Sequence, residues 1–589
     1  MQRTQKNNEL RVSHAGQSVT LVGWVHRRRD HGGMIFIDLR DRYGLTQIVS
    51  DPTKYPEAHS LANEVRPEYV IKIVGTVRVR PEGQDNSNME TGKIEVLITN
   101  IEILNRSKTP PFEIDRENDV DESVRLKYRY LDLRKERMQN NIIVRHKVVK
   151  MMRDILDRQD FIEVETPILI KGTPEGSREY LVPSRLYPGS FFVLPQSPQQ
   201  LKQLLMIAGF DRYFQIARCF RDEDQRGDRQ PEFTQLDLEM SFIDQEDIIN
   251  IIEELLIEIT EKLVPHKKIE SKPFARITWK EAMDSYGSDK PDIRFAMKIV
   301  DISDIAEKCQ FSVFSNAIKA GGVVKCLKVD QGLELTRKEI DDLTELAKAH
   351  GAKGLAYIQL AEDGPKSTLV KFFTPEEIEA MKTRSGAKTG DILFFTADSY
   401  EIAATALGQV RLSCGERFKL RDKNKFSYLW VYDFPLFEQD ALSGNLSSAH
   451  HPFTAPLDDQ LGQLDIQPEK TIAKAYDIIL NGYEIGGGSI RIHEQKLQKK
   501  IFDLLKISDE DAEQRFGHML QAFEYGAPPH GGLALGLERI LMIFQDEPNI
   551  REVMAFPKDQ KAKDLMLGAP STMPPETLQE LSLEIKIKS

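Results

Sequence analysis

A charged loop between two apolar segments holds the first side chains suited to phosphate or carboxylate chemistry. The loop begins at Phe220-Arg221-Asp222-Glu223 and continues to Arg229-Gln230. An arginine guanidinium is a rigid fork that contacts a phosphate or carboxylate through two hydrogen bonds. Glu223, two residues after Arg221, is predicted to lie on the same strand face and to accept from an amine or a ribose. By itself, such a run is more typical of a solvated charged hairpin.

A glycine-rich segment near the C-terminus is the second candidate. It reads Gly531-Gly532-Leu533-Ala534-Leu535-Gly536-Leu537-Glu538-Arg539 and leads into an apolar helix. Glycines let a flat ligand approach the backbone, and an arginine at a helix start places a cation near phosphate. The segment is neither a Walker A loop nor a GxGxxG fingerprint. Taken alone, glycine for close packing explains it better.

Short β-rich runs predict a small barrel at the N-terminus. They cover residues 19–25, 34–39, 46–49, 70–79 and 93–104, with turn residues between them. Five strands in about 90 residues are typical of an OB-type barrel, whose exposed face binds oligonucleotides. A barrel with no ligand is the alternative.

The rest of the chain predicts a discontinuous α+β domain. Apolar spacing indicates helices over 137–158 and 248–263, while residues 285–420 have an α+β pattern of their own and look inserted. The predicted division is 1–106 for the barrel, 107–130 for a hinge, 131–284 and 421–555 for the two parts of one domain, 285–420 for the insertion, and 556–589 for a C-terminal extension.

Composition narrows the classes of protein. The formal net charge is -12, but residues 1–105 carry 14 Lys/Arg against 13 Asp/Glu, with Arg27, Arg28 and Arg29 adjacent. A local basic patch on an acidic protein suits a structured RNA and not a non-specific polyanion binder. Four separated cysteines, no apolar run of about 20 residues and no apolar leader lead us to expect a cytoplasmic protein with no membrane span.

The two chemical segments occur in an order that resembles the class II aminoacyl-tRNA synthetases. Phe220 to Glu223 and Gly536 to Arg539 resemble motifs 2 and 3 of that class, and residues 159–167 resemble motif 1, which forms the dimer interface. Residues 173–176, 196–202, 450–454 and 483–491 resemble the aspartyl enzymes, and the insertion resembles a domain of the bacterial ones. Glu538 is a small variation, because many bacterial aspartyl enzymes have Asp there.

This resemblance implies a fold and a reaction. The fold is multidomain α+β: an N-terminal OB-type β-barrel that binds the anticodon, and a class II antiparallel-sheet catalytic domain with an inserted α+β domain. The reaction activates L-aspartate with ATP and Mg²⁺, releases pyrophosphate, and esterifies aspartate to the terminal adenosine of tRNA(Asp). A homodimer is implied.

Site residues follow from the same resemblance. Those for aspartate are Glu175, Gln199, Lys202, Arg221, Asp237, His450 and Arg491. Those for ATP are Arg221, Asp222, Glu223, Gln230, Glu484, Gly536, Leu537, Glu538 and Arg539. Arg221 and Arg539 are the catalytic arginines, and Asp477 and Glu484 are the Mg²⁺ ligands. Lys202 and Arg491 suit the substrate side-chain carboxylate, and Glu175, Gln199 and Asp237 suit its ammonium.

Barrel residues are implied for tRNA. Arg29, Phe36 and Gln47 match positions that meet the anticodon by phosphate contact, base stacking and base-edge hydrogen bonding. Phe36 as barrel core is the alternative. His31 and Gly83 are the predicted discrimination residues, and charging of tRNA(Asn) as well as tRNA(Asp) stays open. Further alternatives are an asparaginyl or lysyl synthetase, a non-catalytic paralogue, and a pure nucleic-acid-binding module.

Overall fold

The computed structural model describes residues 3–116, 119–172, 177–440 and 443–586. The chain divides into two compact units. The first contains residues 1–143 and 551–572, and the second contains residues 144–550 and 573–589.

The first unit is built on a closed five-stranded barrel with strand order β1-β2-β3-β5-β4. Its elements are β1 (Ser18–His31), β2 (Met34–Asp41), β3 (Gly44–Ser50), α1 (Pro56–Glu64), β4 (Val70–Val79) and β5 (Ile94–Asn105). Alternate residues of each strand point inward, so Ile35, Ile37 and Leu39 of β2 belong to the barrel core. The predicted OB-type barrel is confirmed.

Helices and the segment 551–572 complete this unit. The helices are α2 (Glu122–Lys127), α3 (Arg129–Asp132) and the start of α4 (Glu136–Asp157). The buried Arg129 guanidinium donates to the backbone oxygens of Arg551, Met554 and Ala555. The carboxylate of Glu552 accepts from Arg125 at 2.6 Å. Residues 551–572 therefore pack with the unit that contains the barrel, whereas a boundary at 555 was predicted.

The first part of the second unit runs to residue 286. Its elements are β6 (Ile162–Glu163), β7 (Leu181–Pro183), β8 (Phe191–Val193), α5 (Gln199–Ile207), β9 (Arg212–Phe220), β10 (Glu232–Ser241), α6 (Gln245–Leu263), β11 (Lys268–Ile269), β12 (Ala275–Thr278) and α7 (Trp279–Tyr286). Helix α6 begins with a capping box at Asp244 and buries an apolar face.

Residues 299–417 form a separate five-stranded sheet with helices, as the sequence predicts for 285–420. The elements are β13 (Ile299–Asp301), α8 (Ser303–Ala306), α9 (Ser312–Lys319), β14 (Val323–Val329), α10 (Arg337–Ala349), β15 (Ala356–Ala361), β16 (Gly364–Lys366), α11 (Pro375–Ser385), β17 (Ile392–Asp398) and α12 (Tyr400–Arg417). The strand order is β13-β14-β17-β15-β16, and an apolar core lies on each face.

The chain then returns to the main sheet. The elements are β18 (Lys425–Phe426), β19 (Tyr428–Tyr432), β20 (Phe437–Gln439), β21 (Leu446–Ser448), α13 (Gln463–Ile466), β22 (Ala475–Leu480), β23 (Tyr483–Ile490), α14 (Gln495–Leu504), α15 (Asp509–Phe523), β24 (His530–Gly536), α16 (Leu537–Phe544) and α17 (Pro575–Glu580).

These strands complete an eight-stranded sheet of order β12-β19-β22-β23-β24-β10-β9-β6. Its six central strands are antiparallel, and the two edge strands pair in parallel. This sheet joins strands that precede the insertion to strands that follow it, since β10 pairs with β24. None of the helices in the described residues is both long and apolar enough to cross a membrane.

Candidate active site

The floor of the candidate site is the middle of the eight-stranded sheet. Asp237 and Glu239 are two residues apart on β10, so both side chains lie on the same face of the sheet. Glu239 pairs in register with Gly532 of β24. A Cβ at Gly532 would collide with the Glu239 carboxylate and with the backbone oxygen of Leu238, so glycine is required there. The glycine-rich segment thus makes room for a buried carboxylate.

Lys202 lies between the two carboxylates of β10. It projects from α5, and less than a tenth of its surface is exposed. Its Nζ is 2.7 Å from Asp237 Oδ1, 3.1 Å from Glu239 Oε2 and 3.4 Å from the backbone oxygen of Leu238. Three protein oxygens therefore lie within 3.4 Å of the ammonium.

Arg491, one residue beyond β23, is held by Glu239 from the other side. Its Nε donates to Glu239 Oε1 at 2.9 Å, and its Nη2 donates to Oε2 at 3.2 Å. Its Nη1 lies 2.6 Å from both the Ser489 hydroxyl and His451 Nε2. Both side chains of the ion pair are buried. Removing either charge would leave its partner uncompensated in a medium of low polarity.

Charge and burial act in opposite directions on the two acids. Burial raises the pKa of Glu239, but Arg491 and Lys202 outweigh it and lower that pKa to about 2. Burial dominates at Asp237 and raises its pKa despite the nearby Lys202. Glu239 therefore carries the fixed negative charge of the cluster.

Three predicted aspartate residues meet here with one that was missed. Lys202, Asp237 and Arg491 were predicted to face the substrate, and the structure also pairs them with protein groups of opposite charge. Glu239 was not predicted. The signal was present, because Glu239 shares a strand face with Asp237 at a spacing of two residues.

Two adjacent histidines take different environments. His451 Nε2 faces Arg491, which only donates, so Nε2 accepts and the imidazole is neutral. Burial, followed by the charge of Arg491, lowers the pKa of His451 well below its ordinary value. His450, the predicted residue, retains accessible surface and packs edge-on against Phe434 at 4.9 Å. Loss of hydration next to the surrounding protein lowers the pKa of His450 as well.

The remaining predicted aspartate residues are Gln199 and Glu175. Gln199 is buried on α5, three residues before Lys202 and therefore on the same helix face. Its buried amide Nε2 has no hydrogen-bond partner among the described residues. A buried donor without a protein partner is expected where a ligand supplies the acceptor. Glu175 lies outside the described residues.

The charged loop after β9 corrects one prediction. Strand β9 ends at Phe220, so Arg221 and Glu223 lie beyond it and do not share a strand face. The Arg221 guanidinium stacks 5.2 Å from the centroid of the Phe233 ring, and its buried Nε has no partner among the described residues. Glu223 accepts from Arg229 at 3.2 Å.

The loop borders an open cavity of about 310 Å³, lined by Ser177, Arg178, Asp222, Glu223, Asp224, Arg226 and Arg229. Three of these are arginines, which suits a polyphosphate. Of the predicted ATP residues, Asp222 and Glu223 line the cavity. Gln230 is buried next to the start of β10.

Strand β24 and helix α16 place the other predicted ATP residues. A Cβ at Gly536 would meet only Ile485 O, at 3.8 Å, so the backbone is open there. The Leu537 side chain is buried, which leaves only its backbone for a ligand. Arg539 donates to Glu484 O at 2.8 Å and lies 3.2 Å from Asp228.

Glu538 has a structural role in this region. It is buried, one carboxylate oxygen accepts from Arg145 at 2.8 Å, and the other accepts from the Thr234 backbone N–H at 3.0 Å. These contacts tie the start of α16 to β10 and to α4. Sequence reasoning placed Glu538 at ATP and missed this connection.

The predicted metal ligands lie on neighbouring strands. Asp477 is on β22, opposite Gly487 of β23, and a Cβ at Gly487 would collide with its carboxylate. Burial and the charge of Glu484 raise the pKa of Asp477 well above its ordinary value. Two close carboxylates fit Mg²⁺, which binds one or two carboxylates together with substrate phosphates. The described residues hold no cluster of three or more metal-binding side chains.

The outer face of the barrel carries the predicted tRNA contacts. Arg29 Nη2 donates to Asp38 at 2.9 Å and to Gln47 Oε1 at 3.3 Å. Gln47 Nε2 donates to Glu95 at 2.8 Å. Phe36 faces Arg29 across the β1–β2 pair and lies outside the barrel core, which answers the alternative that it is a core residue.

The predicted discrimination residues lie in turns of the same barrel. His31 is exposed and ends β1. Gly83 is in the β4–β5 connection with φ +78, a conformation that favours glycine, and a Cβ there would meet no atom within 4 Å.

Comparison with known families and proteins matches both units. The family model described as tRNA synthetases class II (D, K and N) matches residues 121–560, and the model for the OB-fold nucleic acid binding domain matches residues 19–104. An aspartate--tRNA(Asp/Asn) ligase of Heliobacterium modesticaldum is 52% identical over 587 residues, covering 100% of this chain and 97% of that protein. A ligase of the same name from Rubrobacter xylanophilus is 52% identical over 583 residues, with coverage of 99% and 97%.

Solved structures share the fold at lower identity. The asparaginyl-tRNA synthetase of Pyrococcus horikoshii, complexed with asparaginyl-adenylate, is 19% identical with a TM-score of 0.58, covering 93% of this chain and 96% of that one. The aspartyl tRNA synthetase of Entamoeba histolytica is 19% identical with a TM-score of 0.56, covering 93% and 89%. From the matched family model and the full-length relatives, the chain belongs to the class II tRNA synthetases of the D, K and N group.

Proposed function

We propose that this chain activates aspartate with ATP and attaches it to tRNA(Asp), and that it also charges tRNA(Asn). The observation that supports aspartate as the substrate is the buried cluster of Lys202, Arg491, Asp237 and Glu239. Its two cations suit the acidic side chain of aspartate. A lysine substrate would bring a further cation to this cluster. The shared name of the full-length relatives supports both tRNA substrates.

The activation step needs position and charge more than covalent catalysis. The aspartate α-carboxylate oxygen attacks the α-phosphorus of ATP, a new P–O bond forms, and the bond to pyrophosphate breaks. Arg221 is proposed to bridge the α-carboxylate and the α-phosphate, and Arg539 to contact the γ-phosphate. Glu175, Gln199 and Asp237 are proposed to hold the ammonium, and His450 to border the pocket.

Asp477 and Glu484 are proposed to hold Mg²⁺ together with the ATP phosphates. When bound, the ion would neutralise phosphate charge and orient the leaving pyrophosphate. Their shared strand pair and the raised pKa of Asp477 support the assignment. The remaining ATP residues proposed are Asp222, Glu223, Gln230, Gly536, Leu537 and Glu538.

In the second step the terminal adenosine hydroxyl of the tRNA attacks the carbonyl carbon of the aspartyl-adenylate. An ester forms and AMP leaves with the electron pair of the broken anhydride bond. Selection of the tRNA is proposed to occur at the barrel, through Arg29, Phe36 and Gln47 for the anticodon and through His31 and Gly83 for discrimination.

A homodimer working in the cytoplasm completes the proposal. Residues 162–169, within and after the motif 1 segment, expose large apolar side chains, including Ile162 at 52% and Leu169 at 50%. Exposed apolar side chains in this segment favour contact with a second copy of the chain. Light scattering at micromolar concentration should give twice the mass of 67.3 kDa.

Aminoacylation of tRNA transcripts tests the proposed function. With labelled aspartate, both tRNA(Asp) and tRNA(Asn) should be charged, with kcat/KM values within about a hundredfold, or ~2.7 kcal/mol, of each other. A larger preference for tRNA(Asp) would exclude the relaxed specificity but keep aspartate as the substrate. Charging with asparagine or lysine in place of aspartate would contradict the proposal.

A further inference from the structure

We propose that Glu239 is a positioning residue for amino-acid recognition, which orients Arg491 and Lys202 so that their remaining hydrogen-bonding capacity faces the substrate. This inference rests on the proposed activation of aspartate and deepens it. Glu239 lies behind the two cations and is not itself proposed to touch the substrate. Its role is to determine how the cations present their N–H groups.

The guanidinium of Arg491 is held by protein groups through most of its N–H donors. Glu239 takes Nε and one N–H of Nη2 through a side-on, two-bond contact. Ser489 and His451 take the two N–H groups of Nη1. Among the described residues, these contacts use four of the five guanidinium N–H groups and leave one on Nη2. A fork held in this way is ordered before a carboxylate arrives.

Lys202 is constrained by the same carboxylate. Oε2 of Glu239 serves both Lys202 Nζ at 3.1 Å and Arg491 Nη2 at 3.2 Å, so one oxygen sets the separation of the two cations. The glycine at position 532 leaves room for this carboxylate, because any side chain there would displace it. Three elements, β10, β24 and α5, therefore converge on a single oxygen atom.

His451 supports the other end of the guanidinium. A neutral imidazole has one acceptor nitrogen, and the short contact of 2.6 Å to Nη1 assigns it to Nε2, so Nδ1 carries the proton. A neutral imidazole can accept at Nε2, whereas a protonated one would present a second donor to Arg491. His451 is therefore a second positioning residue, and it allows a test that is independent of Glu239.

Glu239→Gln separates positioning from simple neutralisation of charge, because the two roles predict opposite results. If Glu239 only screened the cations, its removal would make the pocket more positive and lower the KM for aspartate. If it positions them, the new amide N–H group would face Lys202 or Arg491, which only donate, and the fork would turn. We expect the aspartate KM in ATP–pyrophosphate exchange to rise at least thirtyfold, with the ATP KM within twofold of wild type.

A second pair of variants covers the possibility that Glu239→Gln does not fold. His451→Gln keeps an acceptor in reach of Arg491, whereas His451→Leu removes it. We expect His451→Leu to raise the aspartate KM about tenfold, and His451→Gln to restore it to within threefold of wild type. Equal values for these two variants would overturn the role of His451.

Glu253→Gln is the matched control for a buried glutamate away from the pocket. Glu253 accepts from Trp430 Nε1 at 3.1 Å and from Phe274 N–H at 3.2 Å. We expect this variant to melt at a lower temperature with an unchanged aspartate KM. An aspartate KM in Glu239→Gln that is unchanged or lower than wild type, or a rise matched by the control, would overturn the inference. Absence of aspartate-dependent exchange in the wild type would instead contradict the proposed function.

Discussion

The amino-acid pocket and the outer face of the barrel both bind through charged side chains, but they arrange them differently. In the pocket, Lys202, Glu239 and Arg491 are almost fully buried, and their charges pair at 2.9 to 3.1 Å. On the barrel, about half of the Arg29 side chain is exposed, and it reaches Asp38 and Gln47 along one edge. A buried ion cluster is costly to disturb, whereas an exposed arginine rearranges with little loss.

The difference suits ligands of different size. A small charged substrate gives few contacts, so the pocket must hold each of them in place before binding. A tRNA gives many contacts, and phosphate and stacking contacts tolerate small adjustments. We therefore expect substitutions in the pocket to have all-or-none effects on activation, and substitutions on the barrel to have graded effects on transfer.

The largest expected effect is in the pocket. Arg491→Leu leaves Glu239 buried without its main partner, which costs on the order of 3–5 kcal/mol. Aspartate-dependent exchange should fall at least about a hundredfold. Arg411→Leu is the control for loss of a buried arginine, because Arg411 donates to backbone oxygens of Asp292, Phe295 and Met297, none of which is a proposed site residue. It should lower the melting temperature without changing the aspartate KM, and wild-type exchange in Arg491→Leu would show that the carboxylate binds elsewhere.

A graded effect is expected on the barrel. Phe36→Ala removes a stacking surface worth about 1–3 kcal/mol per base, so kcat/KM for tRNA should fall about ten- to a hundredfold. Exchange without tRNA should be unchanged. Tyr43→Ala, at the other end of β2, removes an exposed aromatic ring and should change tRNA kinetics less than about threefold. Equal loss in both variants would mean that Phe36 has no specific contact with the tRNA.

Acid sensitivity offers a third, smaller contrast. The pKa of Glu239 is lowered from 4.5 to about 2 in the folded protein. Its charge therefore contributes stability above pH 4.5, and that contribution is lost as the pH falls toward 2. The stability difference between wild type and Glu239→Gln should narrow by roughly 1 kcal/mol between pH 6 and pH 4. Thermal melts at both pH values check this, and a constant gap would mean that Glu239 is not held ionised by its partners.

The smallest effect is expected in a turn of the barrel. His31→Leu removes an exposed imidazole at the end of β1, where no described contact orders it. The preference for tRNA(Asp) over tRNA(Asn) should rise about tenfold, while the kcat/KM for tRNA(Asp) stays within about twofold. Parallel charging of the two transcripts measures both values. An unchanged ratio would remove His31 from the proposed discrimination.

The sequence predicted the architecture better than the geometry of the site. Period-two alternation and turn residues locate the five barrel strands, although β1 continues to His31 where the sequence predicts an end at residue 25. Helical spacing places α4 and α6. The spacing along a strand also carried the information that Asp237 and Glu239 share a face. Which residue would pair with Lys202 depends on contacts between α5 and β10, which are distant in sequence, so Glu239 was missed.

Two further features were missed for the same reason. Strand β9 ends at Phe220 because the chain turns there into the loop, where the backbone N–H of Asp222 donates to Arg178 O. Alternation along the sequence cannot locate that turn. The motif predicts Glu538 at ATP, but it gives no sign that the carboxylate also pairs with Arg145 and Thr234, which are hundreds of residues away in sequence. Local patterns identify elements and motifs, and long-range pairing decides what each side chain touches.

Amino-acid-dependent ATP–pyrophosphate exchange by the wild-type chain, without tRNA, tests the central claim most directly. Aspartate, asparagine and lysine are compared at equal concentrations. The buried cations of the pocket predict exchange with aspartate at least about a hundredfold faster than with either of the others. Exchange driven by asparagine or lysine and not by aspartate would contradict the proposed substrate and the role assigned to Lys202 and Arg491.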